Sequence, residues 1–167
     1  MSGLLPDQLI DAARKVIEAN LAIGRRIAVA ESCTGGMLGA RITATPGSSE
    51  YFAGGFITYS NVLKRNLLGV PAETLERFGA VSEETARAMA IGTRERTGAG
   101  YAVSITGVAG PDGGTDDKPV GLVYIGIADE AGAVVIERRF LGDRQRIRIF
   151  TTQWALDMLR RRLQGIA

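Results

Sequence analysis

No histidine occurs anywhere in the 167 residues, so the chain lacks the imidazole that usually activates a serine or cysteine nucleophile. Cysteine occurs once, as Cys33, so no intramolecular disulfide can form, which fits a reducing compartment. Together these two shortages leave a zinc site without ligands, and no metal or cofactor is expected. Charge of one sign is not in excess: 20 Lys and Arg against 18 Asp and Glu give +2. That is too little to argue for nucleic acid. Aromatic residues are few and nowhere alternate with basic ones, which counts against a single-strand binder. Arg160-Arg161-Arg162 reads as a solvated helix face. No apolar run approaches the roughly 20 residues of a membrane span. Met1 to Asp7 has no basic start and no long apolar stretch, so it does not read as a signal peptide. The protein is expected to be cytoplasmic.

What is present suits one soluble α/β domain. A length of 167 residues suggests a single core, and 46% apolar with 23% charged residues is ordinary for a globular protein. Leu9, Ala13, Val16, Ile17 and Leu21 recur at helical spacing over residues 6–22. Strands are expected at 26–30, 51–59 and 101–105, and a hairpin at 121–129 and 133–140. The Gly54-Gly55 pair would permit a bulge or a close backbone approach. Helices are expected from Ser32 or Thr34 through Ile42, from Ser60-Asn61 to Leu68, over 72–78, from Ser82 to Gly98, and from Asp143 to the end. On the last helix Ile147, Phe150, Trp154, Met158 and Leu163 are read as one face. Helices alternate with strands and a hairpin closes the set, which predicts a layered α/β domain around a mixed sheet.

Glu31-Ser32-Cys33-Thr34-Gly35-Gly36 follows the apolar strand Ile27-Ala28-Val29-Ala30. A strand that ends in hydroxyl and small residues before a helix delivers a nucleophile to the mouth of a sheet. Unpaired N–H groups of Cys33, Thr34, Gly35 and Gly36 at that helix start would hold an oxyanion or a phosphate. From spacing alone, Ser32 or Thr34 serves equally well as an N-cap. Cys33 is the rival nucleophile, or simply a small apolar residue. With no imidazole available, Lys64 is the first candidate base: burial and the adjacent helix start would both favour its neutral amine. Tyr59, just before it, would relay a proton or fix Lys64, and Asn61 joins the candidate binding residues at that strand end. Thr106-Gly107 closes the 101–105 strand, where ligands gather in α/β sheets. Asp112-Gly113-Gly114-Thr115 would cradle a phosphate or act as a lid, although it matches no Walker or dinucleotide pattern. Arg144 and Arg148 stand four residues apart on a helix and would either form a salt-bridged or solvated helix start or together pair a phosphate or carboxylate.

Six segments in order resemble the CinA C-terminal domain family, the nicotinamide mononucleotide amidases. They are Glu31 to Gly36, Gly55 to Lys64, Gly79 to Ser82, Thr106 to Pro111, Pro119 to Val123 and Gly142 to Arg148. The resemblance implies a three-layer α/β/α fold with a mixed sheet. It also implies deamidation of a small nucleotide substrate, nicotinamide mononucleotide, in pyridine nucleotide salvage. The family's serine falls on Ser32 and its lysine on Lys64. Family members occur alone or fused behind a larger domain, and this chain is expected to be the stand-alone form. The backbone around Thr34 and Gly35 would stabilise the oxyanion, and the Thr106 loop with Arg144 would hold the nucleotide end. Two other readings stay open: a non-catalytic nucleotide-binding or regulatory module, and an amidase using Cys33. A homo-oligomer is compatible with the exposed strands and with the last helix.

Overall fold

The computed structural model describes residues 7–166. The expectations that touch residues 1–6, a helix start at Pro6 and a terminus without leader character, lie outside that range. Helix α1 spans Asp7–Leu21, strand β1 Ile27–Glu31, helix α2 Met37–Thr43 and strand β2 Phe52–Ile57. Helices α3 (Asn61–Leu68), α4 (Ala72–Phe78) and α5 (Glu83–Thr97) follow in succession. Strands β3 (Tyr101–Gly107), β4 (Leu122–Asp129) and β5 (Gly132–Arg139) precede helix α6 (Arg144–Leu163).

The sheet order is β2-β1-β3-β4-β5. β1 pairs in parallel with both β2 and β3, whereas β3–β4 and β4–β5 are antiparallel. The mixed sheet anticipated from the hairpin is therefore present. All five residues of β1 are buried, as befits a central strand covered on both faces. One core cluster joins β1, β3 and β4 to α1, α2 and α6 through Leu9, Leu38, Ile105 and Leu156. A second joins Ala30 to Leu68, Val70, Leu75 and Met89 of the α3–α5 layer. Each fully buried side chain of this size contributes about 1.5–3 kcal/mol. Helices thus cover both faces of the sheet, in three layers. Among the described residues no helix is long and apolar enough to cross a membrane.

Register places the site. Glu31 stands beside Ile57 on one side and Ile105 on the other, so β1 and β2 end level while β3 runs two residues further. The next residues, Ser32 and Thr58 just past their strands and Thr106 near the end of β3, therefore gather at one edge of the sheet. The Gly54-Gly55 expectation also holds. The β1–β2 register shifts between Ile27 and Ala28, and a Cβ on Gly55 would lie 2.2 Å from the Val29 carbonyl oxygen.

Two helix faces differ from the periodicity reading. Leu21 is exposed at the end of α1. On α6 the buried side runs through Ile147, Thr151, Ala155, Leu156, Leu159 and Leu163, while Phe150 and Trp154 are exposed. The threonine goes inside because Thr151 Oγ1 donates to the Ile147 carbonyl at 2.7 Å, which satisfies its polar group within the helix. Trp154 instead stacks under the Arg138 guanidinium, 4.1 Å from the ring centre. The run Arg160-Arg161-Arg162 is paired rather than merely solvated: the first two bridge Asp157 and the third bridges Asp129.

Candidate active site

At the level strand ends, Lys64 Nζ donates to Ser32 Oγ at 3.0 Å. The ammonium-bearing chain is 1% exposed, an unusual place for lysine. It arrives there because Ser60 caps α3 by accepting from the Leu63 N–H, which puts Lys64 one turn inside the helix and facing the sheet. Its other acceptors are the carbonyls of Thr58 at 2.8 Å and Tyr59 at 3.4 Å. Burial pulls the Lys64 pKa down to about 8, while a charged Cys33 thiol would oppose that shift. Burial pushes the Cys33 thiol up to about 11, so it stays protonated at neutral pH.

The turn between β1 and α2 is not a helix start at Ser32 or Thr34. Helix α2 begins at Met37, and its N-cap, Gly36, has left-handed backbone. Gly35 is left-handed as well. Two consecutive positive φ values suit glycine alone at low cost, and they stretch the turn by about one helical turn. Backbone accounting then shows which donors are free. Ser32 N–H donates to Ile105, Gly35 N–H to Ser32, Met37 N–H to Thr34, and Gly36 N–H to the Glu31 carboxylate. Among the described residues, only the N–H groups of Cys33 and Thr34 in this turn reach no acceptor on another residue. The Gly35 and Gly36 groups expected to hold an anion are already engaged.

A cavity of about 270 Å³ opens in front of Ser32 and Lys64. Cys33 and Thr106-Gly107 line its floor, Ala80 and Val81 one wall, Val108 to Gly110 another, and Tyr59, Asp112, Gly113 and Arg144 the mouth. The 80–81 wall is held by Thr106 Oγ1 donating to the Ala80 carbonyl at 2.7 Å. A larger groove of about 460 Å³ lies between β5 and α6, but it holds no nucleophile. The charges around it are already matched with one another.

The CinA C-terminal domain family matches residues 10–163, nearly the whole described chain. The chain belongs to the CinA family. A CinA-like protein of Solibacter usitatus is 64% identical over 139 residues, covering 83% of this chain and 33% of that protein. A CinA-like protein of Syntrophomonas wolfei is 55% identical over 93% of this chain and 38% of its own length. The chain thus spans about a third of the length of these relatives. Solved structures cover it almost end to end. A competence/damage-inducible protein of Agrobacterium tumefaciens superposes with TM-score 0.92 at 42% identity, over 97% of this chain and 99% of that one. A CinA superfamily protein of Klebsiella pneumoniae gives 0.91 at 34% identity, over 94% and 98%.

Of the candidate residues, Ser32, Cys33, Tyr59, Lys64, Thr106, Gly107 and Arg144 line the cavity; Thr34, Gly35, Gly36 and Asn61 do not. Asn61 is exposed at the first position of α3, outside the cavity, and Ser60 is the cap. The Tyr59 hydroxyl does not reach Lys64; it accepts from Arg144 Nη2 at 3.2 Å, and only its backbone carbonyl meets the amine. Arg144 and Arg148 do not share a ligand: Arg144 also donates to the Gly110 carbonyl, whereas Arg148 Nη2 donates to the Thr34 carbonyl at 2.8 Å. The Thr106 hydroxyl spends its proton on Ala80, leaving only lone pairs for a ligand. Ala80 and Val81 went unassigned in the sequence because small apolar residues carry no chemical signal; only the Gly79 to Ser82 resemblance pointed at them.

Proposed function

We propose that the chain is an amidohydrolase that converts nicotinamide mononucleotide to nicotinate mononucleotide and ammonia, with Ser32 as nucleophile and Lys64 as base. The observation that carries the reading is the buried 3.0 Å contact between Ser32 Oγ and Lys64 Nζ. A neutral amine has two N–H bonds and one lone pair. The carbonyls of Thr58 and Tyr59 match the two N–H bonds, and the lone pair is left for the Ser32 proton.

In the first half-reaction Ser32 Oγ bonds to the carboxamide carbon while its proton passes to Lys64. The carbonyl electron pair moves onto oxygen, which meets the free N–H group of Cys33 in the cavity lining. One such donor is worth about 3 kcal/mol at the transition state. Lys64 returns the proton to the amide nitrogen as the C–N bond breaks, releasing ammonia and leaving an ester on Ser32. Water, deprotonated by Lys64, then attacks the ester. The carboxylate product leaves and Ser32 recovers its proton. Ala80, Val81, Val108 and Ala109 suit a flat ring, and Arg144 at the mouth suits a phosphate.

Ammonia release from nicotinamide mononucleotide, compared with free nicotinamide, tests the reading. Turnover of the nucleotide is expected, and it should fall by at least about a thousandfold in Ser32→Ala while ligand affinity persists. Unchanged turnover in Ser32→Ala would reject the nucleophile. Nucleotide binding without any turnover by the wild type would favour the non-catalytic module.

A further inference from the structure

Three peptide N–H groups at the head of α2 converge on one side chain. Gly36 and Leu38 donate to Glu31 Oε2 at 3.0 and 3.1 Å, and Gly39 donates to Oε1 at 2.8 Å. Glu31 is 1% exposed, and among the described residues no lysine or arginine forms an ion pair with it. A buried carboxylate without a counter-ion is costly unless hydrogen bonds replace its water. Here three charge-assisted bonds and the positive end of the helix do so.

The geometry has two consequences. The helix head already holds an anion belonging to the protein, so no ligand group can take those donors. The same carboxylate ties the end of β1 directly to the first turn of α2, leaving residues 32–35 as a short closed span. That span is pinned a second time, from α6, by Arg148 Nη2 on the Thr34 carbonyl. A buried Thr34, 0% exposed, lies between the two anchors.

We propose that Glu31 is a positioning residue, with Arg148 as the second anchor. Its carboxylate fills the head of α2 in place of a ligand and so holds the Ser32–Gly35 turn. In that shape Ser32 Oγ rests on Lys64 and the Cys33 N–H group stays free for an oxyanion. This rests on the amidase reading for its substrate, but not for its effect on the reactivity of Ser32.

Glu31→Gln is the direct test, because the amide keeps the volume but turns an NH2 group toward N–H donors. Expected is a kcat loss of roughly 100- to 1,000-fold, the scale of a lost oxyanion donor, with KM within about threefold. A second readout needs no substrate: the rate at which a fluorophosphonate labels Ser32, followed by intact mass, with Ser32→Ala as the blank. It should fall by a similar factor. If wild-type protein labels at Ser32 but does not deamidate the nucleotide, the amidase reading fails, and slow labelling of Glu31→Gln still upholds the positioning role. Wild-type labelling and kcat in folded Glu31→Gln overturn the proposal, as does a loss confined to KM. Should Glu31→Gln not fold, Arg148→Gln removes the other anchor. There a kcat and labelling loss of about tenfold or more supports the proposal, and wild-type values overturn it.

Discussion

Ser32 Oγ and Lys64 Nζ lie 3.0 Å apart although 32 positions separate them in the chain. Two parallel strands ending level make that contact: Ser32 directly follows β1, and α3, which follows β2, turns Lys64 back toward it. The amine sits where water cannot solvate its charged form, and its pKa near 8 follows from that burial.

The first prediction concerns the pH profile. If the neutral amine is the base, kcat/KM should rise tenfold per pH unit below about 8 and level off above it. Lys64→Arg keeps a cation that does not deprotonate, so it should lose about a thousandfold. A flat profile between pH 6 and 9, or a near-normal arginine variant, would remove Lys64 from the mechanism.

The same burial bears on stability. Lys64 is pulled from 10.5 to about 8 on folding. Between these values the unfolded chain binds the proton and the folded one does not, so stability rises with pH across that window. Below pH 8 both forms are protonated, and folding carries the full cost of desolvating the ammonium. Lys64→Met lacks this dependence. Its stability advantage over the wild type should shrink by up to about 3 kcal/mol between pH 8 and 10.5, read from urea unfolding at each pH. A constant difference would mean that the amine is not desolvated.

Cys33 stands next to Ser32 and lines the cavity, but its thiol is held protonated by burial. Cys33→Ala should therefore keep kcat within about threefold of wild type. Loss of all ammonia release in that variant would transfer the nucleophile to the thiol.

Arg144 spans the cavity mouth between the Tyr59 hydroxyl and the Gly110 carbonyl. A phosphate there would exchange neutral acceptors for a charged one, worth about 2 kcal/mol. Arg144→Ala should raise KM for the nucleotide roughly 30-fold and leave kcat within about threefold. A large kcat loss at constant KM would place the guanidinium at the reacting carbon instead.

Gly55 tests the scaffold. An added Cβ would meet the Val29 carbonyl oxygen at 2.2 Å and its Cγ2 at 2.6 Å, so β2 would have to leave β1. Gly55→Ala should cost about 3 kcal/mol in thermal unfolding and carry the Lys64 side of the site with it. An unaffected melting temperature would mean that the two strands separate easily.

Local chemistry was readable from the residues themselves. The strands, the caps at Ser60 and Ser82 and the irregularity next to Gly54-Gly55 all follow from short-range patterns. Each rests on backbone preference or on the hydrogen bond of one side chain to its own neighbourhood. Periodicity misled on α6, where threonines took the inside and a tryptophan the outside, because a hydroxyl that bonds its own helix is no longer costly to bury. Partners fixed by long-range packing were out of reach. Nothing in Glu31 announces that it will cap α2, nor in Arg148 that it will hold Thr34 rather than a ligand beside Arg144. The residues themselves set which groups are available for chemistry: the serine turn after β1, Lys64 after β2, and no imidazole. Which of their donors and acceptors are already taken depends on long-range packing, because a buried polar group bonds to whatever the fold brings within about 3 Å of it.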